Sequence, residues 1–167
     1  MAEVIYDDSK RTNTSINRAN GRKEIYQYNR DQLVEQVLYE DGTSLIMEYS
    51  DQCLPVARTS RTGARTIWEY DSFGNVIQEV QPDGYESHYE YDQNQDLVRE
   101  WDSEGKETLR CYDKEHNLLS EKERIGEGRW REIVYRYDSK DRRISVEDGM
   151  GNWRSMNFRR TEPIRMW

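Results

Sequence analysis

The residues that could carry out chemistry in this sequence are two histidines, two cysteines and 33 acidic side chains. An enzyme needs such groups to converge as acid, base, nucleophile or metal ligand. His88 stands in a strand-forming run, where equivalent segments carry Ile, Leu, Val or Ser, so a sheet-face histidine is favoured over a general base. His116 falls in a turn-like segment, which favours a turn residue.

The cysteines and aspartates also favour structural roles. Cys53 and Cys111 are too few for a disulfide scaffold, and their separation fits no metal motif, so we expect buried free thiols. Paired carboxylates could hydrolyse glycosides or bind calcium. Four aspartates instead follow tyrosines at regular intervals, which favours capping of turns: Asp71, Asp92, Asp113 and Asp138. The sequence therefore predicts no catalytic, metal-binding or cofactor-binding residue.

These aspartates belong to a repeat that fills residues 1–167. A Tyr-Asp pair or its substitute recurs at intervals of 22, 21, 21, 21, 21, 25 and 21 residues, marked by Tyr6, Tyr28, Tyr49, Tyr70, Tyr91, Tyr112, Tyr137 and Phe158. Six glycines are each 21 residues apart, namely Gly21, Gly42, Gly63, Gly84, Gly105 and Gly126, and Gly151 lies seven residues before Phe158, the offset that Gly21 to Gly105 have from their tyrosines. A four-residue insertion near 126–136 is expected to lengthen one turn. The period predicts a single array of about eight repeats.

Each repeat predicts a strand, a turn, a second strand and a second turn. Asn20-Gly21, Asp41-Gly42 and Asp83-Gly84 are hairpin dipeptides that suit tight primed turns. The segments after the glycines, such as "ARTIWEY", are too short for a helix and rich in β-branched and aromatic residues. Eight repeats predict an all-β fold: roughly sixteen antiparallel strands in a long, twisted sheet, which we expect to curl because open sheets beyond about 10 strands do so.

The two faces of this sheet can be assigned by alternation. The marker tyrosines and the residues two before them, such as Trp68, should form aromatic ladders on one face. The residues three before them, such as Ile46 and Ile67, should point to the other face. Both faces are therefore partly apolar, which favours a sheet that curls, packs on another layer or holds a partner. We expect Trp68 and Trp101 to be core residues.

Charge and hydropathy exclude several partner classes. The formal net charge is −8 at pH 7, and such a surface repels nucleic acids and anionic membranes. No apolar run approaches the roughly 18–20 residues of a membrane span, and Met1–Lys10 does not resemble a signal peptide. We therefore expect no nucleic-acid or membrane partner.

Two segments, "EYDSFGNVIQEVQPDGYESHYEYD" and "EYDQNQDLVREWDSEGKETLRCYD", resemble the Rhs/YD-repeat family. The resemblance covers essentially all 167 residues, with Asn29, Ser50 and Arg159 in place of the aspartate. Members include bacterial polymorphic toxins, insecticidal toxin-complex shells and teneurins. The resemblance implies a spiralling β-sheet that encapsulates a toxin region, in the bacterial cytoplasm or exported without a signal peptide within a larger toxin. The sequence has no Asp-Pro pair, which the family's self-cleaving segment carries.

Three functions remain open at this stage. The first is a non-enzymatic structural and protein-binding module that contacts a toxin domain or another Rhs-type chain. The second is a stand-alone antitoxin-like immunity protein, and the third is a carbohydrate-binding or carbohydrate-active module. Trp130, between Arg129 and Arg131, is the best candidate for partner binding. Self-association is expected through edge strands near Ile5-Tyr6 or Met156–Arg159.

Overall fold

The computed structural model describes residues 2–7, 9, 11–17, 23–149 and 153–155, and the side chains of residues 5, 7, 9, 11, 12 and 23–149. This part of the chain forms fifteen β-strands and no helix. The predicted all-β fold of antiparallel hairpin repeats is confirmed, with fifteen described strands against the roughly sixteen expected. Gly21, Gly151, Phe158 and the predicted edge at Met156–Arg159 lie outside the described residues.

The chain divides into two compact units, Met1–His88 and Tyr89–Trp167. In the N-terminal unit, each strand pairs antiparallel with the next strand in sequence. These strands are β1 (Ala2–Asp7), β2 (Thr12–Asn17), β3 (Lys23–Tyr28), β4 (Val34–Tyr39), β5 (Ser44–Tyr49), β6 (Pro55–Thr59), β7 (Arg65–Tyr70), β8 (Val76–Val80) and β9 (Glu86–Tyr91), the last of which contains the division.

The C-terminal unit follows the same antiparallel order from strand to strand. It contains β10 (Leu97–Asp102), β11 (Glu107–Tyr112), β12 (Leu118–Gly126), β13 (Arg129–Tyr137), β14 (Arg143–Asp148) and β15 (Trp153–Ser155). Two of these strands, β12 and β13, have nine residues, whereas the other described strands have six or fewer.

The hairpin turns differ in type from the predicted primed turns. At Asp83-Gly84, the amide of Gly84 donates to the carbonyl of Gln81, and the amide of Gln81 donates to the carbonyl of Tyr85, at 3.0 and 2.8 Å. Gly84 has a φ of 85°, whereas Asp83 has no positive φ. This is a type I turn followed by a left-handed glycine, which needs one positive φ, whereas a type I′ turn needs two. The primed-turn prediction was therefore wrong at Asp83-Gly84, and at Asp41-Gly42, where the glycine alone has a positive φ, while Asn20-Gly21 lies outside the described residues.

The two faces of the sheet differ in exposure where the alternation is strictest. In β5 and β7, half-buried residues alternate with exposed ones, and the marker tyrosines Tyr49 and Tyr70 lie on the half-buried face. Ile46 and Ile67 lie on the opposite face and are 37% and 40% exposed. The aromatic face therefore provides most of the packing in these strands, and apolar surface remains exposed on the other face.

Candidate functional site

The insertion near 126–136 lengthens two strands rather than a turn. Gly126 pairs with Arg129, and only Glu127 and Gly128 connect β12 to β13. Gly128 provides the positive φ of this short turn, at 65°. The expectation of a longer turn was wrong, because the inserted residues are distributed over both strands of the hairpin.

The predicted partner-binding residues lie at the tip of this long hairpin but on opposite faces. Trp130 lies opposite Arg124, and its side chain is 38% exposed. Arg129 and Arg131 alternate with Trp130 and so point to the other face. Arg131 forms an ion pair with Glu123, the residue opposite it on β12. The structure therefore brings the three residues together along one strand but does not form a single surface from them.

The two histidines bind carboxylates within their own units. His88 Nε2 lies 3.3 Å from Glu86, and His116 Nδ1 lies 2.9 Å from Asp96. His116 has a φ of 65° and occupies a hairpin turn. Its hydrogen bond to Asp96 and the charge of that carboxylate raise the pKa of His116. The His88 contact joins two residues of β9, whereas the His116 contact joins two different turns.

The cysteines are free, as expected, but they are not buried. Cys53 occupies a turn with a φ of 63°, and Cys111 lies on β11. Both side chains are exposed, and neither forms a disulfide bond. The prediction of buried thiols was wrong because Cys53 lies in a turn and Cys111 lies on the exposed face of its strand.

The aspartate of the Tyr-Asp pair caps the turn that follows it. Asp71 Oδ1 accepts hydrogen bonds from the amides of Phe73 and Asn75, both at 2.9 Å. The side-chain bond from Asn75 and these amides lower the pKa of Asp71. The same pair of bonds recurs at Asn29, Ser50, Asp92, Asp113 and Asp138. The capping hypothesis is thus confirmed, and Asn29 and Ser50 provide the same acceptor.

The marker tyrosines have a role that the sequence did not indicate. Tyr49 donates its hydroxyl proton to the carbonyl of Val34 at 2.9 Å, and Tyr70 donates to the carbonyl of Pro55 at 2.7 Å. Tyr137 makes the equivalent bond to Leu118 at 3.0 Å. Burial raises the pKa values of Tyr49 and Tyr70, so these hydroxyls remain protonated donors. Each bond joins the tyrosine to the second strand of the preceding repeat.

Arg110 replaces the aromatic residue expected at its position in the ladder. Its side chain is 18% exposed and contacts Glu100 at 3.2 Å and Glu121 at 3.0 Å. Burial alone would lower its pKa, but the two carboxylates reverse this effect and raise it. The three charged groups span β10, β11 and β12, so an ionic cluster holds these strands together where an aromatic ring does so elsewhere.

The predicted core tryptophans are only half-buried. Trp68 and Trp101 have intermediate exposure, and the guanidinium of Arg99 lies 4.4 Å from the centroid of the Trp101 ring. Phe73, in the turn after Tyr70, has a side chain that is 76% exposed. Large aromatic rings therefore contribute to packing within the sheet without being enclosed.

Over the residues that the structure covers, no three His, Cys, Asp or Glu side chains converge in a way that could hold a metal ion. No helix of sufficient length and apolarity to cross a bilayer occurs in the same part of the chain.

Comparisons with known proteins identify the same repeat elsewhere. Solved structures with this fold include a mutant Tc holotoxin pore of Photorhabdus luminescens, with 14% identity and a TM-score of 0.63 over 81% of this chain and 8% of that chain. TcdB2-TccC3, with or without its hypervariable C-terminal region, gives 14% identity over 88% of this chain and 9% of that chain, with TM-scores of 0.66 and 0.65 for the shortened and the full form.

These likenesses show the fold, and this chain spans less than a tenth of each of those solved chains. No curated protein sequence matches it. The family model named teneurin YD-shell matches residues 2–155, a range that includes the described strands, turn caps and tyrosine bonds. The chain therefore belongs to the teneurin YD-shell family.

Proposed function

We propose that this chain is a non-enzymatic wall segment of a YD shell and that one face of it lies against an enclosed or docked protein. The proposal rests on the hydrogen bonds that the tyrosine hydroxyls and turn-capping side chains of this chain make. The Tyr70 hydroxyl of one repeat binds the backbone of the previous repeat at Pro55, and the next residue, Asp71, caps the following turn. The groups available for chemistry are therefore used to hold repeat to repeat, as a wall requires.

The exposed face of β5–β7 is the surface that we assign to the enclosed protein. Ile46 and Ile67 lie on this face, and Ala57 on β6, which is 2% exposed, pairs with Glu48 and Ile67 on either side. Arg65 binds Glu48 through a hydrogen bond of 3.0 Å on the same face. Exposed isoleucines beside a paired charge form a mixed surface that suits contact with a protein.

The proposed partner is a toxin domain or another YD-repeat chain, and the family resemblance supports this assignment. Its proposed location is the bacterial cytoplasm, or the exterior after export within a larger toxin. The net charge of −8 favours a second candidate, an immunity protein that binds a basic toxin, because charge complementarity assists such encounters. The two candidates differ in the partner: a toxin segment of the same polypeptide or another YD-repeat chain for the wall segment, and a separately encoded basic toxin for the immunity protein.

Site-specific photo-crosslinking in the native host tests the proposal. A photoreactive phenylalanine analogue would replace Ile67, and the same analogue at Phe73, a turn residue 76% exposed, provides the matched control. We expect position 67 to crosslink one toxin-type segment of the same polypeptide or a YD-repeat chain, and position 73 to give far less of this product. A separately encoded basic protein, crosslinked at position 67 in a one-to-one ratio with this chain, would support the immunity candidate. Equal or absent crosslinking at both positions would contradict both.

A further inference from the structure

The tip of the long hairpin extends beyond the strands that flank it. We call residues Arg124–Arg131 the hairpin arm. Pairing of β12 with β11 ends at Glu123, opposite Thr108, and pairing of β13 with β14 ends at Ile133, opposite Asp148. Within the described part of the chain, the arm therefore has no flanking strand on either side. Its outward N–H and C=O groups form a short open edge, which can pair with another strand.

The arm is basic in a chain that is otherwise acidic. It contains Arg124, Arg129 and Arg131 against Glu127, which gives +3 − 1 = +2, whereas the whole chain carries −8. Arg124 binds Glu107 over 3.4 Å, and Arg131 pairs with Glu123. Among the described residues, the side chain of Arg129 makes no ion pair or hydrogen bond, and its guanidinium lies against Gly126. Within that part of the chain, the arm thus presents one unpaired cation and two partly exposed arginines that form ion pairs.

Apolar side chains accompany these charges. Ile125 lies at the bulge of β12 and is 51% exposed, and Trp130 on β13 is 38% exposed. Over the same described residues, the indole N–H of Trp130 has no hydrogen-bond acceptor. Exposed tryptophan together with arginine is the composition found at the energetic centres of protein interfaces.

The alternation along β13 specifies what could bind. Arg129 and Arg131 point to one face of the strand, and Trp130 points to the other. A strand added beside β13 would place its successive side chains on these two faces in turn. Its carboxylates would meet the arginines only if every second residue were acidic, and the residue between them would contact the indole.

We propose that the hairpin arm is a docking site for an extended segment of another protein in which acidic and apolar residues alternate. The segment adds to the open edge of β13, its carboxylates pair with Arg129 and Arg131, and its apolar side chain packs on Trp130. The positive charge of the arm favours such a segment, because the rest of the chain carries a net charge of −8 − 2 = −10. This docking site is independent of the wall function proposed above.

Binding of synthetic peptides to the full chain tests the proposal. The probe is an eight-residue peptide of alternating Glu and Val. Its binding is measured through the indole N–H signal of Trp130 in NMR spectra and by calorimetry. Two controls have the same length: a Lys–Val alternating peptide, and a peptide with four Glu followed by four Val. We expect the alternating acidic peptide to bind about tenfold more tightly than either control, because a central contact pair contributes an effect of this size.

Variants distinguish the arm from other exposed residues. Arg129→Glu and Trp130→Ala are each expected to weaken binding of the acidic peptide about tenfold. Lys114→Glu, an exposed cation in a turn of the same unit, and Phe73→Ala should leave binding unchanged. Unfolding curves would verify that each variant is folded, and Arg129→Glu changes a side chain without polar partners. Absence of binding, equal binding of the block peptide, or unchanged affinity in Arg129→Glu would overturn the proposal.

Discussion

The hydroxyl of Tyr70 donates a 2.7 Å hydrogen bond to the backbone carbonyl of Pro55, the first residue of β6 and fifteen positions earlier in the chain. Tyr49 binds Val34, the first residue of β4, across the same sequence distance. Tyr137 binds Leu118, the first residue of β12, across nineteen positions. The bond is kept despite the four-residue insertion. The inserted residues lengthen β12 and β13 near the turn that joins them, whereas Leu118 and Tyr137 lie at the opposite ends of these two strands.

Replacing Tyr70 with phenylalanine should destabilise the fold without changing its shape. The change leaves the Pro55 carbonyl without its donor, and the expected loss in the free energy of unfolding is about 1 kcal/mol. Urea denaturation followed by tryptophan fluorescence would measure it. Tyr89→Phe is the matched control, because the Tyr89 hydroxyl makes no hydrogen bond among the described residues. Equal losses in both variants would show that the bond to Pro55 contributes nothing.

Substitutions at two turn residues with a positive φ, Gln32 and Gly84, should change the stability of the fold in opposite directions. Gln32 is exposed in the turn after Asn29 and has a φ of 63°, so Gln32→Gly should raise the unfolding free energy by about 0.5–1 kcal/mol. Gly84→Ala should lower it by about 1 kcal/mol. A Cβ at Gly84 would meet no atom within 4 Å, so that loss would come from the backbone alone. Thermal unfolding of both variants would check the signs, and a destabilised Gln32→Gly protein would contradict the argument.

Acid should weaken the turn that Asp138 caps. The hydrogen bond from Arg142, with the two turn amides, lowers the pKa of Asp138 from 3.8 to about 2. Since the pKa is lower in the folded state, the stabilisation is present above pH 3.8 and is lost as the pH falls towards 2. Urea midpoints measured through this range should therefore fall less steeply in Asp138→Asn, which keeps the acceptor oxygen. Asp31→Asn, a change at an exposed turn residue, should retain the wild-type slope.

The cluster around Arg110 should be sensitive to the loss of its cation. Arg110→Met leaves Glu100 and Glu121 without their shared partner, and we expect a loss of about 1.5–3 kcal/mol in unfolding free energy. Combining it with Glu100→Gln and Glu121→Gln removes the like charges and should restore most of this stability. Denaturant unfolding of the single and triple variants provides the comparison. A triple variant no more stable than Arg110→Met would mean that repulsion between the carboxylates is not the cause.

The sequence predicted the hairpin repeats and the turn caps because both depend on local chemistry. An Asp, Asn or Ser can accept amide bonds from residues two and four positions later, so Asn29 and Ser50 substitute for aspartate within their own turns. The turn type was not predictable in this way. Asp83-Gly84 suits either a primed turn or a type I turn with a glycine bulge, and the difference lies in the φ of Asp83.

Features that depend on register between hairpins were also missed. The acceptor of Tyr70 is a backbone carbonyl, which has no sequence signature, and it is identified only when β6 and β7 are aligned. At the candidate site, the nomination of Trp130 came from its position outside the repeat. Predicting that Trp130 lies on the opposite face from Arg129 and Arg131 would have required knowing that the inserted residues continue the two strands. The alternation of charged and aromatic residues in Arg129-Trp130-Arg131 was the available signal.

The tyrosine bonds described above reach back one repeat and no further, and this has an evolutionary consequence. A gene for such a chain can gain or lose a whole 21-residue repeat by unequal recombination, and a tyrosine that makes this bond still meets a carbonyl at the start of the second strand of the preceding repeat. Lineages can therefore change the length of the chain in steps of one repeat. A change of another size keeps the bond only where it alters both strands of a hairpin equally, as the insertion does in β12 and β13.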